Sequence, residues 1–432
     1  MFVAPFNAGD LGRHVLHHAP TVGAPSDNPI RHASEDALGR VAMASAFARQ
    51  VLSLDASEGA VVGVLGAWGS GKTSFLNLAR DDFAAANATV LDFNPWMFSG
   101  AEQLVESFFN ELGAQLRVRP GLAQIGDDLA DYGEAFAGLG WVPVAGPWIE
   151  RFRSGSKALS KLLQHRREGV GGRREKLQGA LGKLEHPIIV VLDDIDRLST
   201  DEIRDIFKLV RLTASFPNIV YVLAFDRGRV EKALSEQGVP GRDYLEKILQ
   251  VVVDLPAIPE EVLNRQIFAA LNQAIAEAGD PEDVDDQVWP DVFMEVVRPL
   301  IRNMRDVRRY AGAVRGTVEN IGSQAALADL LAMEAVRLFL PDVFARLPDS
   351  VEGLCTPSER WSGGMGEEAP EPKQSVERLL EAGGENEAAV RALIQRLFPF
   401  GERHIGGTNY GSDWTSRYLR DRRIAHESIL RL

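Results

Sequence analysis

Five short, almost wholly apolar runs occur along the first part of the chain: Val61–Gly66, Thr89–Phe93, Ile188–Leu192, Val220–Phe225 and Val251–Leu255. Each is continuous rather than alternating, the pattern of a strand buried on both faces, as in a parallel sheet. Between them lie stretches whose apolar residues recur every three or four positions: Gly39–Leu54, the segment from Lys72, Gln103–Leu116, Thr200–Thr213 and Arg242–Gln250. That spacing predicts helices, and strands alternating with helices predict a three-layer α/β core around a parallel sheet. Beyond Pro259 the strand pattern stops. Pro259–Gly279, Asp291–Ile301, Asp306–Glu319 and Gln324–Arg346 read as helices.

The pattern divides the chain into an N-terminal segment with a lead-in helix (1–60), the α/β core (61–257), a helical lid domain (258–350), a linker dense in Gly, Pro, Ser and Glu (351–375) and a small helical C-terminal region (376–432). About 90 residues separate the second and third runs, too many for a single crossover helix. An insertion is therefore expected over residues 119–184.

Composition narrows the picture. The 432 residues are 45% apolar, enough for two or three globular units. The lone cysteine, Cys355, excludes a disulfide within the chain and a cysteine-based zinc site, and fits a reducing, cytoplasmic setting. The start lacks the charged-then-apolar order of a signal peptide. No apolar stretch reaches the roughly 18–20 residues of a membrane span. Ala135–Ile149 comes nearest and is broken by three glycines and two prolines. A net charge of −14 argues against general nucleic-acid binding. One stretch, 151–183, reverses the bias with ten Lys/Arg against two Glu. It is the one place where nucleic acid or an anionic membrane would bind, and a solvated helix face is its simpler reading. His14, His17 and His18 lack supporting carboxylates and are set aside as metal ligands.

Chemistry concentrates where the first run ends. Gly66-Ala67-Trp68-Gly69-Ser70-Gly71-Lys72-Thr73 fits the phosphate-loop pattern G-x-x-x-x-G-K-[ST] between a buried strand and a helix. Glycines let successive backbone N–H groups face a phosphate, and the helix start adds its positive end. Gly66, Trp68, Gly69, Ser70, Gly71, Lys72, Thr73 and Ser74 are the candidate nucleotide-binding residues. Lys72 is expected to reach the β- and γ-phosphates, and Thr73 to ligate Mg²⁺. The fold expectation thus becomes a three-layer P-loop NTPase core.

The third run leaves the sheet through Asp193-Asp194-Ile195-Asp196-Arg197. Asp193, the first acid out, is the candidate magnesium-side carboxylate. Asp194 is placed to activate the attacking water, and Asp196 to cap the helix starting near Thr200. The fourth run ends at Asp226, read equally as a catalytic acid and as a cap for Arg227–Leu234. Trp68 and Trp96 are expected to pack beneath the loop, with an aromatic wall beside the nucleotide as the alternative. Asn94 is read equally as a γ-phosphate contact and as a strand-end turn residue.

Several motifs in order carry a family resemblance. They are the tryptophan-bearing loop, Phe93-Asn94-Pro95-Trp96, Asp193-Asp194-Ile195-Asp196-Arg197, Ala224-Phe225-Asp226 and Tyr244-Leu245-Glu246-Lys247-Ile248. Asp27-Asn28-Pro29-Ile30 precedes them and Asn303-Met304-Arg305-Asp306-Val307-Arg308-Arg309 follows. The set resembles the KAP family of P-loop NTPases, within the STAND class. The resemblance implies ATP or GTP with Mg²⁺, nucleotide-gated assembly, and roles in signalling or bacterial defence against phages. Many members carry membrane helices between the second and third strands, and this chain lacks that pattern.

The function expected is ATP hydrolysis coupled to conformational change or assembly, as a homo-oligomer or with partner proteins of a multi-component system. Its rivals are a non-hydrolysing nucleotide-gated switch or scaffold and a small-molecule kinase. Lys72, Asp194, Asp226 and Arg242 are the candidate catalytic residues, and Thr73 and Asp193 the candidate metal ligands. Arg242 occupies the region where related oligomeric ATPases place an arginine for a neighbour's nucleotide. Arg302, Arg305 and Arg309 share a helix face in the helical domain.

Overall fold

The structure, a computed structural model, describes residues 28–98, 101–137, 171–235, 240–279, 284–357, 370–407 and 414–432. Its contacts divide the chain into two compact units, one of Pro29–Ala257 and one that includes Ile258–Leu432.

The first unit is built on five strands: β1 (Ala60–Leu65), β2 (Thr89–Phe93), β3 (Ile188–Leu192), β4 (Ile219–Phe225) and β5 (Val251–Asp254). Their order is β2-β3-β4-β1-β5 and every pairing is parallel. The acid-bearing strand β3 therefore does not touch β1, because β4 lies between them. Register aligns the strand ends at one edge: Leu65 pairs with both Phe225 and Asp254, and Phe93 with Leu192. The loops after β1, β2, β3 and β4 all leave from that edge, where ligand sites of open α/β sheets form.

The continuous apolar runs resolve into two faces, since successive strand side chains point to opposite sides. Val61, Leu65, Leu91, Phe93, Val190, Leu192, Tyr221 and Phe225 enter one core. Val62, Val64, Ile189, Val191, Val220, Val222 and Ala224 enter the other. Helices α1 (Val41–Leu52) and α2 (Lys72–Ala85) cover the second face through Phe47, Val51, Phe75 and Leu76. Helices α3 (Ala101–Arg117), α4 (Ala123–Ala137), α5 (171–181) and α6 (Thr200–Thr213) supply the first. Two shorter helices, α7 (Arg227–Leu234) and α8 (Gly241–Ile248), lead to β5.

The insertion expected over 119–184 is partly core. Helix α4 packs on α3 so closely that a Cβ on Gly126 would lie 2.6 Å from the Gly113 carbonyl. Tyr132 meets Phe109 and Phe216 edge to face, with centroids 5.3 and 5.5 Å apart. The described part of the basic stretch is engaged within this unit. Lys176 pairs with buried Asp128 at 2.8 Å, Arg173 donates to the Asp131 carbonyl at 2.6 Å, and Arg174 donates to Ser215 at 2.6 Å. Residues 138–170, with most of the apolar segment and of the basic run, lie outside the described residues, as do the three histidines of the N-terminal segment.

The second unit is helical among its described residues. One hydrophobic core runs from Leu263 through Trp289, Phe293, Tyr310, Val336, Leu354, Leu379 and Leu393 to Ile424. The expected linker is a correction. Residues Leu347–Cys355 and Pro370–Ala382 are helices, and Val351, Leu354, Val376 and Leu379 from them are buried in that core. Residues 358–369 lie outside the described residues. Arg423 donates to both oxygens of fully buried Asp329 at 3.0 and 2.8 Å, which fixes the last segment to Leu327–Phe339. Asn303 caps the helix Met304–Ile321 by accepting from the N–H groups of Arg305 and Asp306. No helix among the described residues is long and apolar enough to cross a membrane.

Candidate active site

The loop between β1 and α2 is shaped by glycines. Gly69 and Gly71 take φ of 79° and 87°, a region costly for residues with a Cβ. Gly71 sits at the N-cap of α2, so the helix opens directly onto the loop. Ser70 Oγ is buried with no hydrogen-bond partner, an orphaned polar atom inside the cradle.

Lys72 is nearly buried and its Nζ donates to the Gly66 and Ala67 carbonyls at 3.0 and 3.4 Å. The same nitrogen lies 3.0 Å from Asp196 Oδ2. Asp196 also accepts from the Asp226 N–H at 3.0 Å. This corrects the reading of Asp196 as a helix cap: its carboxylate ties the phosphate-loop lysine to the end of β4. The cap of α6 is Ser199, which forms a reciprocal capping box with Glu202.

Thr73 Oγ1 donates to Asp193 Oδ2 at 2.6 Å, and the Asp194 N–H donates to Asp193 Oδ1 at 2.8 Å. Burial pushes the Asp193 carboxyl above the ordinary carboxylate range, while these two donors pull it back. A hydroxyl and a carboxylate meeting at a strand edge form a hard oxygen donor set that fits Mg²⁺.

Asp194 takes a left-handed backbone, with φ of 60°. Asn94 Nδ2 donates to Asp194 Oδ2 at 3.1 Å, and Arg197 Nε lies 2.7 Å from Asp194 Oδ1. Asn94 takes the strand-end turn role, since its Oδ1 also accepts from the Trp96 N–H at 3.1 Å. Trp68 and Trp96 are not buried beneath the loop: they are 50% and 57% exposed, and the Arg197 guanidinium lies 5.5 and 5.3 Å from their ring centroids.

The remaining candidates are placed differently. Asp226 Oδ1 accepts from the Arg229 N–H at 3.0 Å and caps α7. Arg242 is exposed and pairs with Glu246 on its own helix at 2.9 Å. Ser74 Oγ accepts from the Ile30 N–H at 3.3 Å, and Asn77 donates to the Ile30 carbonyl at 2.8 Å, so the Pro29-Ile30 motif is held on α2.

Arg40 was not legible as a site residue. It is buried at the start of α1 and donates to the Ser70 carbonyl at 2.5 Å and to the Pro256 carbonyl at 2.9 Å. Burial pushes its guanidinium below the ordinary arginine value. Its partners lie 30 and 216 residues away, so no local pattern announces it.

Residues 40–321 match the model of the KAP family P-loop domain. The chain is 30% identical over 349 residues to the phage T7 exclusion protein of Escherichia coli K12. That match takes in 74% of this chain and 46% of the relative, so the chain spans about half of the relative's length. Among solved structures, the Aeropyrum pernix ORC2 protein in ADPNP–ADP complexes is 15% identical, with a TM-score of 0.36 over 89% of this chain and 88% of that one. Cdc6p from Pyrobaculum aerophilum is 15% identical, with a TM-score of 0.38 over 88% and 89%. With the loop, the acids and the motifs from Phe93-Asn94-Pro95-Trp96 to the one ending at Arg309 inside the matched span, the chain belongs to the KAP family of P-loop NTPases.

Proposed function

We propose that this protein binds and hydrolyses ATP and couples turnover to conformational change or assembly, in a defence role against phages. The observation that carries the reading is the Thr73–Asp193 pair beside Lys72, at the mouth of a glycine-shaped loop. Thr73 and Asp193 would hold Mg²⁺, which when bound offsets charge on the phosphate oxygens. Backbone N–H groups of residues 69–73 and Lys72 bind the β- and γ-phosphates. Asp194 takes a proton from water as the water oxygen bonds to the γ-phosphorus. The bond from that phosphorus to the bridging oxygen breaks, and ADP departs with the electron pair. The defence role is carried from the phage T7 exclusion relative.

The test is Asp194→Asn. It keeps size and one of the two acceptor oxygens and removes the charge that accepts the proton. ATP binding should remain within a few-fold of wild type, with turnover down on the order of 10²-fold or more, the scale of losing a general base. Hydrolysis unchanged by the substitution would move that role to another residue. Binding of ATP with no phosphate release by the wild type would favour a non-hydrolysing switch.

A further inference from the structure

We propose that Arg197 is a positioning residue for the hydrolytic step, held as a planar wedge between Trp68 and Trp96 so that it fixes the carboxylate of Asp194. The proposal rests on the reading of Asp194 as the group that activates water. Four elements meet at this point. Trp68 comes from the phosphate loop, Asn94 and Trp96 from the end of β2, Asp194 from the end of β3, and Arg197 from the turn that follows. The Arg197 guanidinium lies 5.5 Å from one indole centroid and 5.3 Å from the other. A flat, weakly hydrated cation suits a slot between two rings, and a lysine ammonium does not.

Held there, Arg197 Nε meets Asp194 Oδ1 at 2.7 Å while Asn94 Nδ2 donates to Oδ2 at 3.1 Å. Each oxygen of Asp194 thus has one fixed partner on its own side. Each also keeps lone-pair capacity, since a carboxylate offers about four acceptor sites in all. Asp194 holds a left-handed backbone with φ of 60°, a costly conformation for a residue with a Cβ that persists where its surroundings fix it. Trp68 and Trp96, half exposed at the sheet edge, wall Arg197 from the phosphate loop and from the turn after β2. Trp68 also links the clamp to the phosphate loop, so loop position and carboxylate aim are set by the same stack.

A residue acting through Asp194 must lose its effect once Asp194 is disabled, and that separates positioning from a structural role or direct contact with phosphate. The experiment measures single-turnover phosphate release from Mg-ATP, and binding of a non-hydrolysable ATP analogue. The variants are Arg197→Ala, Arg197→Lys, Trp96→Leu, Asp194→Asn and the Asp194→Asn/Arg197→Ala double. Arg197→Ala should lower the rate about tenfold or more, with analogue affinity within a few-fold of wild type. Arg197→Lys should restore little of the loss, and Trp96→Leu should fall between. In the Asp194→Asn background, Arg197→Ala should cost less than about twofold. An equal loss in both backgrounds, or a wild-type rate for Arg197→Ala, overturns the proposal and leaves the function reading intact. A wild-type rate for Asp194→Asn overturns both. If Arg197→Ala fails to fold, Arg197→Lys and Trp96→Leu carry the same cycle.

Discussion

Asp193 illustrates how a functional residue works against the stability of its own fold. Its carboxyl is buried at the sheet edge, and desolvation lifts its pKa above the ordinary value despite the donors from Thr73 and Asp194. The folded state therefore binds its proton more tightly than the unfolded chain does. Ionising Asp193 costs stability above the folded pKa, and the cost vanishes below the unfolded value of about 3.9. Asp193→Asn should thus raise the melting temperature at neutral pH, with the gain shrinking as pH falls through that window, while turnover is lost. Thermal unfolding across pH beside a phosphate-release assay checks this, and a lower melting temperature at pH 7 would contradict it. At this scale the sequence made the motif residues legible, because spacing and residue type are local properties. The partners of those residues were not. Asp196 read as a cap because its bonds to Lys72 and the Asp226 N–H span 124 and 30 residues, and the two aromatic walls of Arg197 come from other loops, so no local pattern pairs them with it.

Elements were legible where burial writes them into the chain. All five strands fall within a residue of their expected ends, and the three central ones, β1, β3 and β4, are buried throughout, as a strand covered on both faces has to be apolar. Helices α4 and α5 were not separately legible inside the insertion. Gly126 and Gly133 dilute the helical pattern of α4, although here they allow close approach: a Cβ on Gly133 would lie 2.5 Å from that of Phe109. The phosphate loop itself is held from outside by α1. Arg40 spans the Ser70 and Pro256 carbonyls, so it fixes the loop against the end of the sheet. A hydrogen bond from a charged group contributes about 1.5–3 kcal/mol, and a loop freed from it must be reordered on binding. Arg40→Ala should therefore weaken ATP binding on the order of tenfold, measured by calorimetry, with the Asp194→Asn effect on turnover preserved in that background. Unchanged affinity would show that the loop holds its shape without Arg40.

At the scale of the whole molecule, the division at Ala257 places the phosphate loop in one unit and a continuous helical core in the other. Both ends of the linker expected at 351–375 are helical, because composition reports turns and charges but not which helices bury one face: Leu347–Cys355 and Pro370–Ala382 do. Assembly is the remaining question at this scale. Arg242 is 68% exposed and makes a surface pair with Glu246, worth little in water, so the pair can be exchanged for one on a second copy. If it acts on a neighbour's nucleotide, Arg242→Ala should lose activity alone. It should regain part of it when mixed with a site-dead Lys72→Ala/Asp196→Asn chain. Specific activity independent of concentration, with no recovery on mixing, would place its role within one chain or nowhere. The double variant is needed because Lys72→Ala alone strands Asp196 as a buried, unpaired charge, a loss of about 3–5 kcal/mol that would confuse folding with binding.

The central claim is that Mg-ATP is hydrolysed at the Gly66–Thr73 loop, and phosphate release by purified protein tests it most directly. Wild type, Asp194→Asn and Lys72→Ala/Asp196→Asn are compared with Mg-ATP, each first shown to be folded by its melting curve. The wild type should release phosphate, and release should stop when Mg²⁺ is chelated. Asp194→Asn should bind ATP with turnover down about 10²-fold, and the double variant should show neither binding nor release. Release that persists undiminished in the folded double variant would contradict the claim.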